Sequence, residues 1–401
     1  MLNRRRRAMP AHRPLVVIPW LPEQRSGGAA LLYELLAWLR ERAGPDGEAA
    51  VVVPVPDARR PELEALERNP TLAGLQWHPL EERRTPGFRG RLARMLGPLP
   101  ADMAKIATPA NAARLASVRT EFRPTVELAV SSWALAAYPE QALVPGTRLV
   151  MVNVDPDIVR HDGPWLAGLW PDSDAIVRKL ACVIDRPKVR RVCRRALVTA
   201  GRVGAISPAD VAPLDRLGGR SDTVYLPPLM RPRPLDRSQA EPGTVLITTN
   251  LGYQPNVTSL DWFLTDVWPR VDTAARLTIA GLDPRGVATR LCRGHDRVTF
   301  VGLLTPTELD AAFARTALAV NPTRTGSGFQ VKLLDAIARD VPIVSTAWSN
   351  KLGPAIPSSD DPREFARLIT DRLTPGRQPP FDYAAFHAQA AAAWEAFLFA
   401  G

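Results

Sequence analysis

NPTRTGSGFQVKLLDAIARDVPIVST, Asn321 to Thr346, overlaps one short apolar run, LAVNP (Leu318–Pro322), and ends in another, PIVST (Pro342–Thr346). Both runs are short and mostly apolar, and PIVST is rich in β-branched residues, so they read as buried strands. The stretch between them, from about Gly328 to Arg339, carries a helical pattern. Strand, helix, strand in that order is the unit of a parallel sheet covered by helices. Gly326, Ser327 and Gly328 fall at the strand-to-helix junction, where small residues let backbone approach a ligand and the first N–H groups of a helix lack partners. A diphosphate is favoured at such a place by those donors and by the positive end of the helix dipole. Lys332 and Asp335, three apart, share a helical face and offer a cation for phosphate and an acceptor for ribose hydroxyls. The same residues also describe a tight turn followed by a solvated ion pair, and spacing alone does not choose.

The same alternation extends upstream. VLITT (Val245–Thr249), RLTIAG (Arg276–Gly281) and VTFVG (Val298–Gly302) read as strands, with a helix through Trp262 and Phe263 and another over Thr307–Ala317. In such sheets ligands sit outside the carboxyl ends of the strands, which singles out the loops Asn250–Asn256, Gly281–Arg285 and Thr323–Gly328. The first half repeats the theme. LVVIP (Leu15–Pro19) is followed by a loop ending in Gly27 and Gly28, a leucine-faced helix over Ala29–Arg42, and the strand AAVVVPV (Ala49–Val55). Further strands are expected at Val126–Val130, Arg148–Val152 and Val203–Ile206. RPRPLDRSQAEPG (Arg231–Gly243) lacks apolar period and reads as a linker. A chain of 401 residues suits two such domains. The expected division is a basic disordered leader over 1–12, an N-terminal α/β domain over 13–230, the linker 231–243, and a C-terminal α/β domain over 244–375. Over 381–400 an alanine-rich helix follows, anchored by Phe386, Trp394, Phe397 and Leu398.

The Asn321–Thr346 segment, together with GYQPNVTSLDWFL (Gly252–Leu264), resembles the donor-binding half of glycosyltransferase family 4-like (group 1) enzymes. The resemblance covers most of Thr244–Leu373 and has echoes at Gly27–Gly28 and at NVDPD (Asn153–Asp157). It implies the GT-B architecture, two Rossmann-like doubly wound domains facing a central cleft, with the acceptor on the N-terminal domain. It implies retaining transfer of a sugar from a nucleotide-diphosphate donor to a hydroxyl acceptor, with no metal and no cofactor beyond the sugar nucleotide as substrate. The implied donor ligands are Gly27, Gly28, Arg324, Gly326, Ser327, Gly328, Phe329, Lys332 and Asp335, and His161, beside Asp162, is the candidate catalytic residue. The last helix is implied to cross back, so that its anchors touch residues before Arg231. The sequence departs from the family in two respects. Ser327 and Asp335 occupy positions where two glutamates are common, and Thr248–Gln254 lacks the usual basic pair. Those departures keep open a sugar-nucleotide-binding pseudoenzyme, or another GT-B enzyme such as a sugar-nucleotide epimerase.

Other classes find less support. The 51 Lys and Arg against 41 Asp and Glu give a net charge of +10, mostly arginine, since Lys occurs only at 105, 179, 188, 332 and 351. No recognition motif or aromatic–basic interleaving accompanies that charge, so nucleic acid is not the expected partner. No G-x-G-x-x-G follows a strand, which argues against a nicotinamide oxidoreductase. Cys182, Cys193 and Cys292 show no disulfide or zinc spacing, and a cytoplasmic protein is expected. FRGRLARML (Phe88–Leu96) places Phe88, Leu92, Met95 and Leu96 on one face and Arg89, Arg91 and Arg94 on the other. That pattern fits either a surface helix packed on the core or peripheral contact with the inner face of a membrane.

Overall fold

The computed structural model describes residues 12–23, 27–43, 48–83, 87–151, 175–325, 329–373 and 381–400. Two parallel sheets form its frame. The first contains β1 (Pro14–Val17), β2 (Ala49–Val55), β3 (Leu75–Glu81), β4 (Val126–Val130), β5 (Arg148–Met151), β6 (Arg202–Ala205) and β7 (Val224–Tyr225), in the order β3-β2-β1-β4-β5-β6-β7. Around it lie α1 (Gly27–Ala43), α2 (Arg60–Glu67), α3 (Gly87–Leu96), α4 (Pro109–Phe122), α5 (Ala175–Thr199) and α6 (Pro208–Gly218). The second contains β8 (Glu241–Asn250), β9 (Arg276–Leu282), β10 (Val298–Gly302), β11 (Thr316–Asn321) and β12 (Ile343–Ser345), in the order β10-β9-β8-β11-β12. Its helices are α7 (Gln254–Trp262), α8 (Val287–Cys292), α9 (Pro306–Arg315), α10 (Val331–Ile337) and α11 (Pro362–Thr370), and α12 (Tyr383–Phe399) closes the chain. None of the described helices is long and apolar enough to cross a membrane.

Sequence explains which strands are central. β2, β4 and β11 are buried at every residue, as strands covered on both faces must be. β3 and β10 lie at sheet edges with part of their side chains exposed, and β3 tolerates Pro79 because an edge strand can lose a ladder donor. Strand order reverses between β1 and β4 in the first sheet and between β8 and β11 in the second. The loops after these four strands are therefore where a ligand site belongs.

Two expectations change in detail. The helix expected from about Gly328 is shorter, running Val331–Ile337, and puts Lys332 in its first turn. The stretch read as a linker is laid along the second domain. Arg233 N–H donates to the Ala338 carbonyl at 2.8 Å, Leu235 N–H donates to that of Arg339 at 3.3 Å, and β8 already begins at Glu241. Pro232 and Pro234 keep this segment extended, and its free N–H groups satisfy carbonyls that the end of α10 leaves open.

α12 packs on the first domain. Trp394 Nε1 donates to the Pro227 carbonyl at 2.8 Å and Tyr383 Oη to that of Met230 at 2.9 Å. Arg148 and Arg202 donate to the Phe397 carbonyl, and Arg202 also reaches that of Ala400. The Phe399 ring stacks on His12 with centroids 4.1 Å apart. One apolar cluster runs continuously from α1 and β2 of the first domain, through α12, to Leu333 and Ile337 of α10 in the second.

Candidate functional site

A cleft of about 810 Å³ opens between the carboxyl ends of the two sheets. The first domain contributes Trp20 after β1, Gly28 on α1, Met103 and Ile106, and Trp133 after β4. The second contributes Thr248–Asn250 from the end of β8, Gly281 from β9, Leu303 and Leu304 after β10, and Phe329, Lys332 and Asp335 around the start of α10. Arg233 enters from the connecting segment. The first-domain wall combines these apolar and aromatic side chains with the carboxylates of Glu23 and Asp102, while the α10 wall carries the cations.

Close backbone approach shapes the floor. Gly281 has φ 148°, and a Cβ there would lie 1.6 Å from the Thr249 carbonyl oxygen, so only glycine fits where β9 passes β8. The neighbouring loop is pinned by Asn256, whose Nδ2 donates to the Asn250 carbonyl at 2.8 Å, and by Arg285, which donates to that of Leu251 at 3.1 Å.

Lys332 is the main cation of that floor. Its Nζ donates to Asn256 Oδ1 at 3.0 Å and lies 3.5 Å from Thr323 Oγ1, both neutral partners. The i,i+3 ion pair that the spacing allows is not formed. Among the described residues no carboxylate pairs with Lys332, although protein encloses its ammonium and pulls its pKa from the ordinary lysine value to about 8. A buried network supports this arrangement from below. Thr323 Oγ1 donates to Asn321 Oδ1 at 2.7 Å, Asn321 Nδ2 to Ser349 Oγ at 3.2 Å, and Ser349 shares hydrogen bonds with Ser345 and Thr346.

Asp335 also lines the cleft, but it is engaged. Its Oδ1 accepts from Arg339 Nη1 and lies 3.7 Å from Arg233 Nη2. Arg339 is buried, donates to Asp310 Oδ1 at 2.8 Å and rests on the Phe313 ring, so it is a structural strut. Arg233 is less committed, with a buried Nε that has no hydrogen-bond partner.

On the opposite wall, Ser131 follows β4 with φ 66° and ψ 151°, a conformation otherwise almost reserved for glycine. Its N–H donates to the Val150 carbonyl at 2.7 Å and its Oγ accepts from Trp133 N–H at 3.4 Å, which holds the turn that brings Trp133 to the cleft.

Of the residues singled out in the sequence, Gly28, Phe329, Lys332 and Asp335 meet at this cleft. Gly27 begins α1, so the expected glycine loop is instead the first turn of that helix. Arg324 is directed elsewhere: its guanidinium lies 4.4 Å from the Trp262 ring centroid, and it is absent from the cleft lining. Gly326, Ser327, Gly328 and His161 lie outside the described residues. Arg233, Trp20 and Trp133 were not anticipated, whereas Asn256 lies in the loop Asn250–Asn256 that the strand order had singled out. Arg233 hides in a Pro-rich run that has no local signal, and the two tryptophans are defined as site residues only by the topology that juxtaposes their loops.

Residues 242–374 match the family described as glycosyl transferases group 1. An uncharacterized 44.6 kDa protein in the cps region of Klebsiella pneumoniae is 28% identical over 144 residues, which are 33% of this chain and 37% of that protein. Solved structures align along nearly the whole chain. Sucrose-phosphate synthase from Thermosynechococcus elongatus does so with a TM-score of 0.61 at 16% identity, covering 96% of this chain and 98% of that one. HepE from Anabaena, solved in complex with UDP and glucose, gives 0.54 at 15% identity, covering 96% and 100%. WaaG, a glycosyltransferase involved in lipopolysaccharide biosynthesis, gives 0.53 at 11%, covering 94% and 93%.

Proposed function

Because the chain has the GT-B fold and its second domain matches the glycosyl transferases group 1 family, we propose that it transfers a sugar from a nucleotide-diphosphate donor to an acceptor hydroxyl with retention at the anomeric carbon. The observation that carries this reading is Lys332, an enclosed ammonium on the cleft floor with only neutral partners. Its charge is uncompensated until an anion arrives, and a diphosphate supplies one. Arg233 also lines the cleft and, unlike the buried Arg339, keeps an Nε without a partner, so it takes the place of the basic pair that Thr248–Gln254 lacks. Asp335, held in place by Arg339, offers its carboxylate to the ribose hydroxyls.

In the proposed reaction the acceptor oxygen bonds to the anomeric carbon as the bond from that carbon to the diphosphate breaks on the same face. The acceptor proton passes to the departing phosphate oxygen, so no separate base is required. Lys332 and Arg233 stabilise the charge growing on the leaving group, and the two walls exclude water from it. The acceptor lies against Trp20, Met103, Ile106 and Trp133, surfaces that suit the face of a sugar ring or an apolar aglycone.

Incubation with UDP-, GDP-, TDP- and ADP-sugars, followed by thermal shift and by release of nucleoside diphosphate, tests the proposal. One donor at 100 times its dissociation constant is expected to stabilise the protein by about 2.7 kcal/mol and to be turned over with an acceptor. A donor that binds and yields no diphosphate with any acceptor identifies a binding protein without turnover. Absence of binding by every donor removes the reading altogether.

A further inference from the structure

We propose that α5 and α3 together form a docking surface for an anionic phospholipid bilayer. The inference stands apart from sugar transfer, because none of its residues lines the cleft. From residue 183 onward α5 has a sharply divided surface. Val189, Val192, Cys193, Ala196 and Leu197 are buried in the core of the first domain. Arg186, Arg190, Arg191, Arg194 and Arg195 are all exposed. Positions 186, 190 and 194 follow one another at i,i+4, and 191 and 195 form a parallel row beside them, so five guanidiniums share one face over about 14 Å of helix.

Elsewhere on this surface some exposed arginines are matched by a neighbouring acid. Arg315 pairs with Glu241 and Arg367 with Glu364. On α5 none of the five has a carboxylate partner among the described residues. Asp185 is the acid described on this helix, and it is buried, accepting from Lys188 Nζ at 3.0 Å and from Ala101 N–H at 3.0 Å. Five like charges in adjacent helical positions repel one another in isolation. An anionic surface laid against them reverses that term, and its attraction grows with each basic residue brought near it.

Apolar side chains flank the arginine rows. Val183, ahead of Arg186 on α5, is 66% exposed. α3 lies against α5, with the Met95 carbonyl accepting from Lys188 Nζ, and it presents Leu92 and a 66% exposed Leu96. Arg89 on α3 is also exposed. The apolar side chains of Leu92 and Leu96 are therefore not spent wholly on the core. A bilayer accepts both halves of such a surface, with headgroup phosphates meeting the guanidiniums and the interfacial acyl region receiving the leucines. Nucleic acid would leave the leucines in water, and the described side chains of α3 and α5 include no aromatic, Asn or Gln with which to stack on or read bases. From α3 the chain runs through Ala101, tied to Asp185, to Met103 and Ile106 on the cleft wall, so a bilayer bound here lies beside the acceptor half of the cleft.

Co-sedimentation of the full chain with vesicles of phosphatidylcholine and phosphatidylglycerol in equal parts tests the surface, with pure phosphatidylcholine vesicles and duplex DNA as parallel arms. The expected result is pelleting with the anionic vesicles, at least about tenfold weaker pelleting with phosphatidylcholine, and loss of most binding in the double variant Arg190→Glu, Arg194→Glu. Leu96→Ser is expected to bind at low salt and to detach at salt concentrations that the native chain withstands. All these positions are exposed, so an unchanged melting temperature and unchanged nucleotide affinity certify that variants keep their fold. Failure of the native chain to pellet, equal pelleting by the charge-reversed variant, or tighter binding to DNA than to the vesicles at the same salt overturns the proposal.

Discussion

Lys332 should make nucleotide binding depend on pH in a definite direction. Its pKa of about 8 in the unliganded fold means that the ammonium is largely present at neutral pH and is lost as pH rises through that value. A bound diphosphate favours the charged form, so affinity for UDP or GDP is expected to fall above pH 8 by up to about tenfold per unit, and binding near pH 8 should take up a proton. Calorimetry in two buffers of different ionisation enthalpy measures that uptake, and no uptake would exclude Lys332 from the anion site. For stability without ligand the sign is opposite. The unfolded chain holds this proton up to the ordinary lysine value, so the folded state gains stability as pH rises from about 8 toward that value. Lys332→Ala is expected to weaken nucleotide binding by about 1.5–3 kcal/mol while sparing the fold, as titration calorimetry would show. Gly281→Ala is expected to destabilise by about 2 kcal/mol or more, read from denaturant midpoints, because its Cβ would meet the Thr249 carbonyl. Lys332 and Asp335 could be chosen from sequence because helix spacing relates them. What they bond to could not, since Asn256, Arg233 and Arg339 reach them from elsewhere in the chain or a turn away.

Among elements, α12 bears most on how the halves are joined. Trp394 is buried, and its indole N–H reaches the Pro227 carbonyl at 2.8 Å. Trp394→Ala should therefore cost about 3–5 kcal/mol in urea unfolding, the range for removing a buried aromatic, whereas a cost under 1 kcal/mol would mean that the helix is only loosely docked. Central strands were easily read from composition because burial on both faces demands short, mostly apolar runs, as in β2 and β4. β3 escaped such reading. Its sequence, LQWHPLE, contains a proline and no β-branched residue, and it is a strand only because β2 offers it an edge. α10 was read too long at its start because residue pattern marks a helical face better than it marks the first hydrogen bond.

At the scale of the whole molecule, the apolar cluster that passes from α1 through α12 to α10 ties the two sheets into a common core. Heating in the calorimeter is expected to give one cooperative transition, and two resolved transitions would show that the domains melt independently. The cleft was foreseeable from strand alternation, but its apolar wall was not, because that wall is assembled from three separate loops of the first domain. α12 also orders events during synthesis. The carbonyls of Phe397 and Ala400 are bonded by Arg148 and Arg202, and Trp394 by Pro227, so the first domain to leave the ribosome waits for a helix made after the second sheet. Until then the groove meant for α12 stands open, its apolar floor and unpaired groups uncovered while the whole second domain is translated. The nascent chain thus spends its most aggregation-prone interval with its first domain already shaped, and synthesis of α12, rather than completion of either sheet, is the moment at which that domain is finished.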